Sequence, residues 1–111
     1  MCGILGVVSL NKKLKVDKNL FSSCLNLMDH RGPDDTGIFI NNKTILGHKR
    51  LSIIDLSNKG SQPMFSSDNS ATIIYNGEIY NFKELKKFLI LKGFKFNSKT
   101  DTEVLLNGLI Y

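Results

Sequence analysis

The chain has 111 residues, 41% apolar and 23% charged, enough for one small domain with a modest core. No apolar run approaches the roughly 18 residues of a membrane-spanning helix, and the N-terminus lacks the parts of a secretory signal, so the cytoplasm is the expected compartment. The net charge of +5 comes from lysines scattered between Lys12 and Lys99, not clustered with aromatics, which argues against a nucleic-acid-binding stripe.

In chain order, CGILGVVSL reads as a buried strand whose glycines allow close backbone approach. From Asp17, an expected N-cap, Leu20, Phe21, Cys24, Leu27 and Met28 fall at the spacing of an amphipathic helix face. On that face Cys24 is expected to be a small core residue. Pro33 in RGPDD marks the stop. TGIFI and KTILGHKRLSII read as strands joined at Asn41-Asn42, a hairpin signal. DLSNKGSQPMFSSDNS is loop-like, and ATIIY reads as a further strong strand. Phe82, Leu85, Phe88 and Leu89 give one helical stripe, ended by Gly93. Thr100 and Glu103 form a capping-box pattern ahead of VLLNGLIY. The sequence closes inside that apolar run, so the 111 residues are expected to be the front part of something longer.

Four places carry chemistry. Cys2 fits the start of a buried strand. It also fits an N-terminal nucleophile, because removal of Met1 would put a free α-amine beside the thiol, and roughly a tenth of such an amine is neutral at pH 7. Arg50 is one of only two arginines; it could clamp a carboxylate bidentately or pair with Asp55 or Asp34. Asn76-Gly77 is either a type I′ hairpin turn or an oxyanion hole made of a side-chain amide and a backbone N–H. Asp101 either complements a helix dipole or faces a substrate ammonium. His30 and His48 lack metal-like spacing and are expected to be structural. No disulfide framework and no metal site are expected from two cysteines so placed. Taken together, a thiol with its own base, two oxyanion donors, an arginine and an acid are the parts needed to hold an α-amino acid and attack its side-chain amide.

MCGILG, HRGPDDTG, HKRLSIIDLS, GSQPM, YNGEIYNF and TDTEVLL, in that order, resemble the N-terminal glutaminase domain of the glutamine-hydrolysing asparagine synthetase family. The resemblance covers essentially the whole chain. It implies a class II glutamine amidotransferase with the α+β, four-layer αββα sandwich of N-terminal-nucleophile hydrolases, residues 1–111 being the N-terminal portion of that domain. It further implies that Cys2 attacks glutamine, that Asn76 and Gly77 form the oxyanion hole, and that Arg50 and Asp101 bind the carboxylate and the α-ammonium. Leu51, Ile53, Ile54 and Glu78 would line the remaining pocket, and Arg31 and Asp34 would brace it.

The ammonia would pass to a synthetase domain, in cis or trans and absent from this chain, where ATP and Mg²⁺ activate aspartate. No cofactor is expected within these residues, which carry no P-loop. The partners implied are glutamine, that second domain and a second copy of the full-length protein. Two other readings stay open: an inactive remnant or fragment completed by a partner chain, and an amidotransferase of the same superfamily with another ammonia acceptor.

Overall fold

The computed structural model describes residues 1–111. Its elements are β1 (Gly3–Val8), α1 (Lys18–Asn26), β2 (Asp35–Ile40), β3 (Thr44–Arg50), β4 (Met64–Phe65), β5 (Thr72–Ile73), α2 (Phe82–Leu91) and α3 (Asp101–Ile110), with one 3₁₀ turn at Asn58–Gly60. The class is α+β. The first three strands form an antiparallel sheet in the order β1-β3-β2, and β4 pairs with β5 as a separate two-stranded ribbon. No helix is long and apolar enough to cross a membrane.

The two-residue alternation of β3 organises the molecule. Ile45, Gly47 and Lys49 point at α1. Ile45 packs with Phe21 and Leu25 in the buried cluster, and a methyl group on Gly47 would meet Leu25 and Phe21 at 2.8 and 2.9 Å. Lys49, buried, donates to Asn26 Oδ1 and Thr36 Oγ1 and pairs with Asp29 at 2.5 Å. Leu46, His48 and Arg50 point the other way, toward the ribbon. On that face Phe39 meets Phe65 edge-on, centroids 5.3 Å apart, and Gly37 lies against the Gln62–Pro63 backbone. α3 packs on β4 and on α2. The layers therefore run helix, three-stranded sheet, two-stranded ribbon, helix pair.

Local chemistry sets the ends of the helices. Asp17 Oδ1 accepts from the N–H groups of Asn19 and Leu20. Gly93, at φ +92°, closes α2: its N–H reaches Ile90 O and that of Phe94 reaches Leu89 O, the paired bonds of a Schellman motif. Thr100 Oγ1 caps α3 by accepting from Glu103 N. The box is only half closed, because the Glu103 carboxylate turns to Asn97 N, Ser98 N and Ser98 Oγ instead.

Several expectations are corrected. β1 is an edge strand, not a buried one; Ile4, Val7 and Val8 are exposed, since α1 covers one face at Leu5 alone. The core register of α1 is Phe21, Leu25 and Met28, which leaves Leu20, Leu27 and Cys24 exposed. Cys24 is thus not a core residue. α1 also stops well before Pro33, as the N–H groups of Leu27, Met28 and Asp29 tighten to bonds three residues back. ATIIY yields only the two residues of β5, and β4 forms inside the expected loop. On α2 only Leu89 is fully buried; Phe88 meets Tyr111 edge-on.

The segment after β3 has no regular structure to hold it, and Asp55 does so instead. Its carboxylate accepts from Ser57 Oγ (2.6 Å), Ser57 N (2.9 Å) and Lys99 N (3.0 Å), tying this segment to the start of α3. The Ser57 hydroxyl first, then the Lys99 and Ser57 N–H groups, hold the acid well below its ordinary 3.8. Hydrogen bonds to the charged form have that sign.

Two outcomes follow for stability. Leu25→Ala should cost about 2–5 kcal/mol in denaturant unfolding, while Leu27→Ala, two positions on at the C-cap of α1, stays within about 0.5 kcal/mol; equal losses would refute the stated core register. Because the folded-state value of Asp55 is depressed, its contribution is fully present above the unfolded value and is lost as pH falls below 3.8. The stability advantage of wild type over Asp55→Asn should therefore be constant near neutrality and shrink between about pH 5 and pH 2. An advantage independent of pH would contradict the assignment.

Candidate active site

The antiparallel register of β1 on β3 pairs Gly3 with Lys49, so the chain's second residue lies beside the end of β3. There the Leu51 N–H points at Cys2 Sγ (3.3 Å), and the sulfur stands 3.7 Å from Leu51 O. The RGPD segment braces this corner. Arg31 Nε donates to Cys2 O at 3.2 Å. Gly32 lies on the β3 backbone, where a methyl group would come within 2.7 Å of the Arg50 carbonyl carbon. Asp34 N donates to Arg50 O, and Asp34 Oδ2 accepts from Ser52 N at 2.7 Å. Cys2 itself is half-buried.

Arg50 is 7% exposed. Its guanidinium donates to Ser57 O (2.8 Å) and to Asp55 O, and it makes no ion pair within the chain. The pairings with the Asp34 or Asp55 carboxylate that the sequence allowed do not form, because both carboxylates are taken by N–H and O–H donors. Gly60 makes the seat: a methyl group there would lie 2.9 Å from both Arg50 Cζ and Thr100 Cγ2. A buried cation hydrogen-bonded only to carbonyls, with N–H donors to spare, suits an incoming carboxylate.

Asn76-Gly77 is not a hairpin turn, since no strand follows and the chain runs on into α2. Neither the Asn76 amide nor the Gly77 N–H is hydrogen-bonded within the chain. Asp101 opens α3, 6% exposed, and its Oδ2 accepts from Ile79 N at 3.0 Å, pinning the 76–79 segment to the helix start.

Cys2, Arg50, Leu51, Ile53, Ile54, Asn76, Gly77, Glu78 and Asp101 all line one cleft of about 370 Å³. That is within the usual size of a small-molecule site. The cleft also contains residues that sequence reasoning did not single out. Gln62, buried, accepts from Tyr75 N through Oε1 (2.6 Å) and donates to Thr102 Oγ1 (3.2 Å), joining both sides of the cleft. Tyr75 and Gly60 line it too. All three lay within words already quoted, Gly60 and Gln62 in GSQPM and Tyr75 at the head of YNGEIYNF, without a role attached to them.

His48 sits behind Arg50, 1% exposed, with neither ring nitrogen hydrogen-bonded. Burial foremost, and then Arg50, push its pKa down against the opposing pull of the Tyr75 backbone and Asp35. His30 is exposed and outside the cleft. No three His, Cys, Asp or Glu side chains converge as a metal site.

A cleft with a sulfur at one wall, unoccupied N–H donors at another, and separate cationic and anionic groups can grip a zwitterion and present a carbonyl to the thiol. Comparison with known proteins gives the same direction. The family model described as "Glutamine amidotransferase domain" matches residues 1–110. The chain is 40% identical over 99% of its length to asparagine synthetase [glutamine-hydrolyzing] 3 of Bacillus subtilis and 43% identical over 96% to the enzyme numbered 1 of the same organism. It is 40% identical over 95% to asparagine synthetase [glutamine-hydrolyzing] of Brassica oleracea. It spans 17–18% of the length of these relatives. The chain belongs to the glutamine amidotransferase domain family, and the relatives it resembles are glutamine-hydrolysing asparagine synthetases.

Proposed function

We propose that the chain is the glutaminase unit of an asparagine-forming amidotransferase, and that it cleaves glutamine to glutamate and ammonia at Cys2. The observation that carries this reading is the unpaired, buried guanidinium of Arg50 in the same cleft as a thiol, two free oxyanion donors and a buried Asp101. Met1 also lines that cleft and is 71% exposed, so its removal would both free the Cys2 amine and widen the site.

Arg50 then takes the α-carboxylate of glutamine and Asp101 its α-ammonium, which leaves the side-chain amide toward Cys2. The thiol gives its proton to the neutral α-amine as sulfur bonds to the amide carbon. Asn76 and Gly77 receive the oxyanion. The proton passes to the leaving nitrogen as the C–N bond breaks, giving ammonia and a γ-glutamyl thioester. Water, deprotonated by the same amine, hydrolyses the thioester to glutamate and restores the thiol. Leu51, Ile53, Ile54 and Glu78 complete the pocket walls.

The helix–sheet–ribbon–helix order supports assignment to the αββα sandwich of N-terminal-nucleophile hydrolases. The ammonia would be consumed by a separate synthetase domain, in cis or trans, where ATP and Mg²⁺ activate aspartate, and we place the protein in the cytoplasm.

With Met1 removed, a glutamine-analogue electrophile should alkylate Cys2, read by mass spectrometry, and free glutamine should slow the labelling. Cys24, although exposed, should stay unmodified. Labelling of Cys24 instead, or labelling at Cys2 indifferent to glutamine, would contradict the reading. Gly60→Ala should displace the Arg50 guanidinium and weaken glutamine binding by tenfold or more, about 1.4 kcal/mol, with a smaller effect on the rate at saturation. Unchanged glutamine affinity in a folded variant would remove Arg50 from the carboxylate role.

A further inference from the structure

The sequence offered two readings of Gly77, a type I′ turn or an oxyanion-hole N–H. The structure supplies another. A methyl group there would lie 2.6 Å from the Tyr75 hydroxyl oxygen and 2.8 Å from its Cζ, so the phenol ring occupies the space that the missing side chain leaves. Tyr75 is therefore folded over the oxyanion segment and into the cleft. Its backbone is fixed by the 2.6 Å bond from Tyr75 N to Gln62 Oε1, while no hydrogen bond within the chain engages the hydroxyl. Burial first, then the Asp101 and Glu78 carboxylates, raise the phenol's pKa, and Tyr75, Glu78 and Asp101 line the same cleft.

We propose that Tyr75 is a further substrate-binding residue, whose hydroxyl accepts a hydrogen bond from the α-ammonium of the amino-acid substrate while donating to a neighbouring carboxylate, Asp101 or Glu78. This deepens the glutaminase reading and rests on it. One carboxylate oxygen of Asp101 is already committed to Ile79 N, so a lone Asp101 offers an ammonium fewer than the three acceptors its N–H groups can use. A phenol oxygen within the same corner adds one. Its ring, filling the space over Gly77, also narrows the cleft against nitrogen substituents. The corner thus selects a primary ammonium over a neutral or alkylated nitrogen.

The test is equilibrium binding to the full chain, carrying Cys2→Ala throughout so that glutamine is not consumed, by calorimetry, of L-glutamine and of 4-carbamoylbutanoate, which is glutamine without its α-ammonium. Tyr75→Phe keeps the ring over Gly77 and removes only the hydroxyl. The variant should bind glutamine about tenfold more weakly, the ordinary worth of a hydrogen bond to a charged group, and bind 4-carbamoylbutanoate as wild type does. Equal weakening toward both ligands would mean that Tyr75 merely supports the fold of the cleft, and no weakening toward glutamine would mean that the hydroxyl is idle; either overturns the proposal while leaving the glutaminase reading intact. Wild type that binds neither ligand, or binds both alike, would overturn the glutamine site itself. Tyr75→Leu, which empties the space over Gly77, should in addition admit N-methyl-glutamine, and continued exclusion of that ligand would remove the steric half of the proposal.

Discussion

A guanidinium at the end of a central strand, buried without a carboxylate partner, is the constraint on which the site depends. Isolating such a charge from water costs several kcal/mol even after local relaxation, and the carbonyls of Asp55 and Ser57 offset it only in part. The surrounding structure holds Arg50 in that position. Gly60 vacates the volume the guanidinium fills, Asp55 locks the segment that supplies the carbonyls, and the RGPD backbone lies across the strand end. A charge retained under such conditions supports the carboxylate-receptor role proposed for Arg50.

The two faces of β3 divide the labour. One face, through Ile45, Gly47 and Lys49, builds the core with α1 and fixes the sheet. The other, through His48 and Arg50, meets the ribbon and the cleft. Antiparallel pairing then places Cys2 at that same strand end without any dedicated element, because an edge strand beginning at Gly3 must start where β3 finishes. Gln62 and Asp101 close the circle by anchoring the Tyr75–Ile79 segment from two directions. The Cys2 thiol and the Arg50 guanidinium thus share one strand end, while the segment holding Asn76 and Gly77 is pinned through Ile79 to Asp101 at the start of α3.

Features governed by near neighbours were legible in the sequence. Asp17, Gly93 and Thr100 each act within a few residues, and the Asn41-Asn42 hairpin needs only the two strands beside it. Cys2, Arg50, Asn76, Gly77 and Asp101 could be named from their chemistry, Leu51, Ile53, Ile54 and Glu78 only from the family resemblance, and the structure brings all nine to one cleft. What the sequence withheld is long-range. Cys24 and Leu25 are adjacent, and only the direction in which α1 lies on β3 decides which of them is buried. ATIIY has the composition of a strand, but pairing to β4 engages just two of its residues. Gly60 read as a loop glycine and Gly77 as a turn or oxyanion-hole glycine, and their packing against Arg50 and Tyr75 appears only when the chain has folded back. The half-closed capping box is similar: Glu103 has a better offer from Ser98 than from Thr100.

The most direct test of the central claim is observation of the Arg50 side chain itself during a titration. In ¹⁵N-labelled protein with Met1 removed, the Arg50 Nε–H resonance, assigned through Arg50→Lys, should shift saturably as L-glutamine is added, and its exchange with water should slow as the carboxylate seals the guanidinium. Saturable glutamine binding that leaves the Arg50 signal unmoved would show that the buried cation is a structural feature and that the anion is gripped elsewhere.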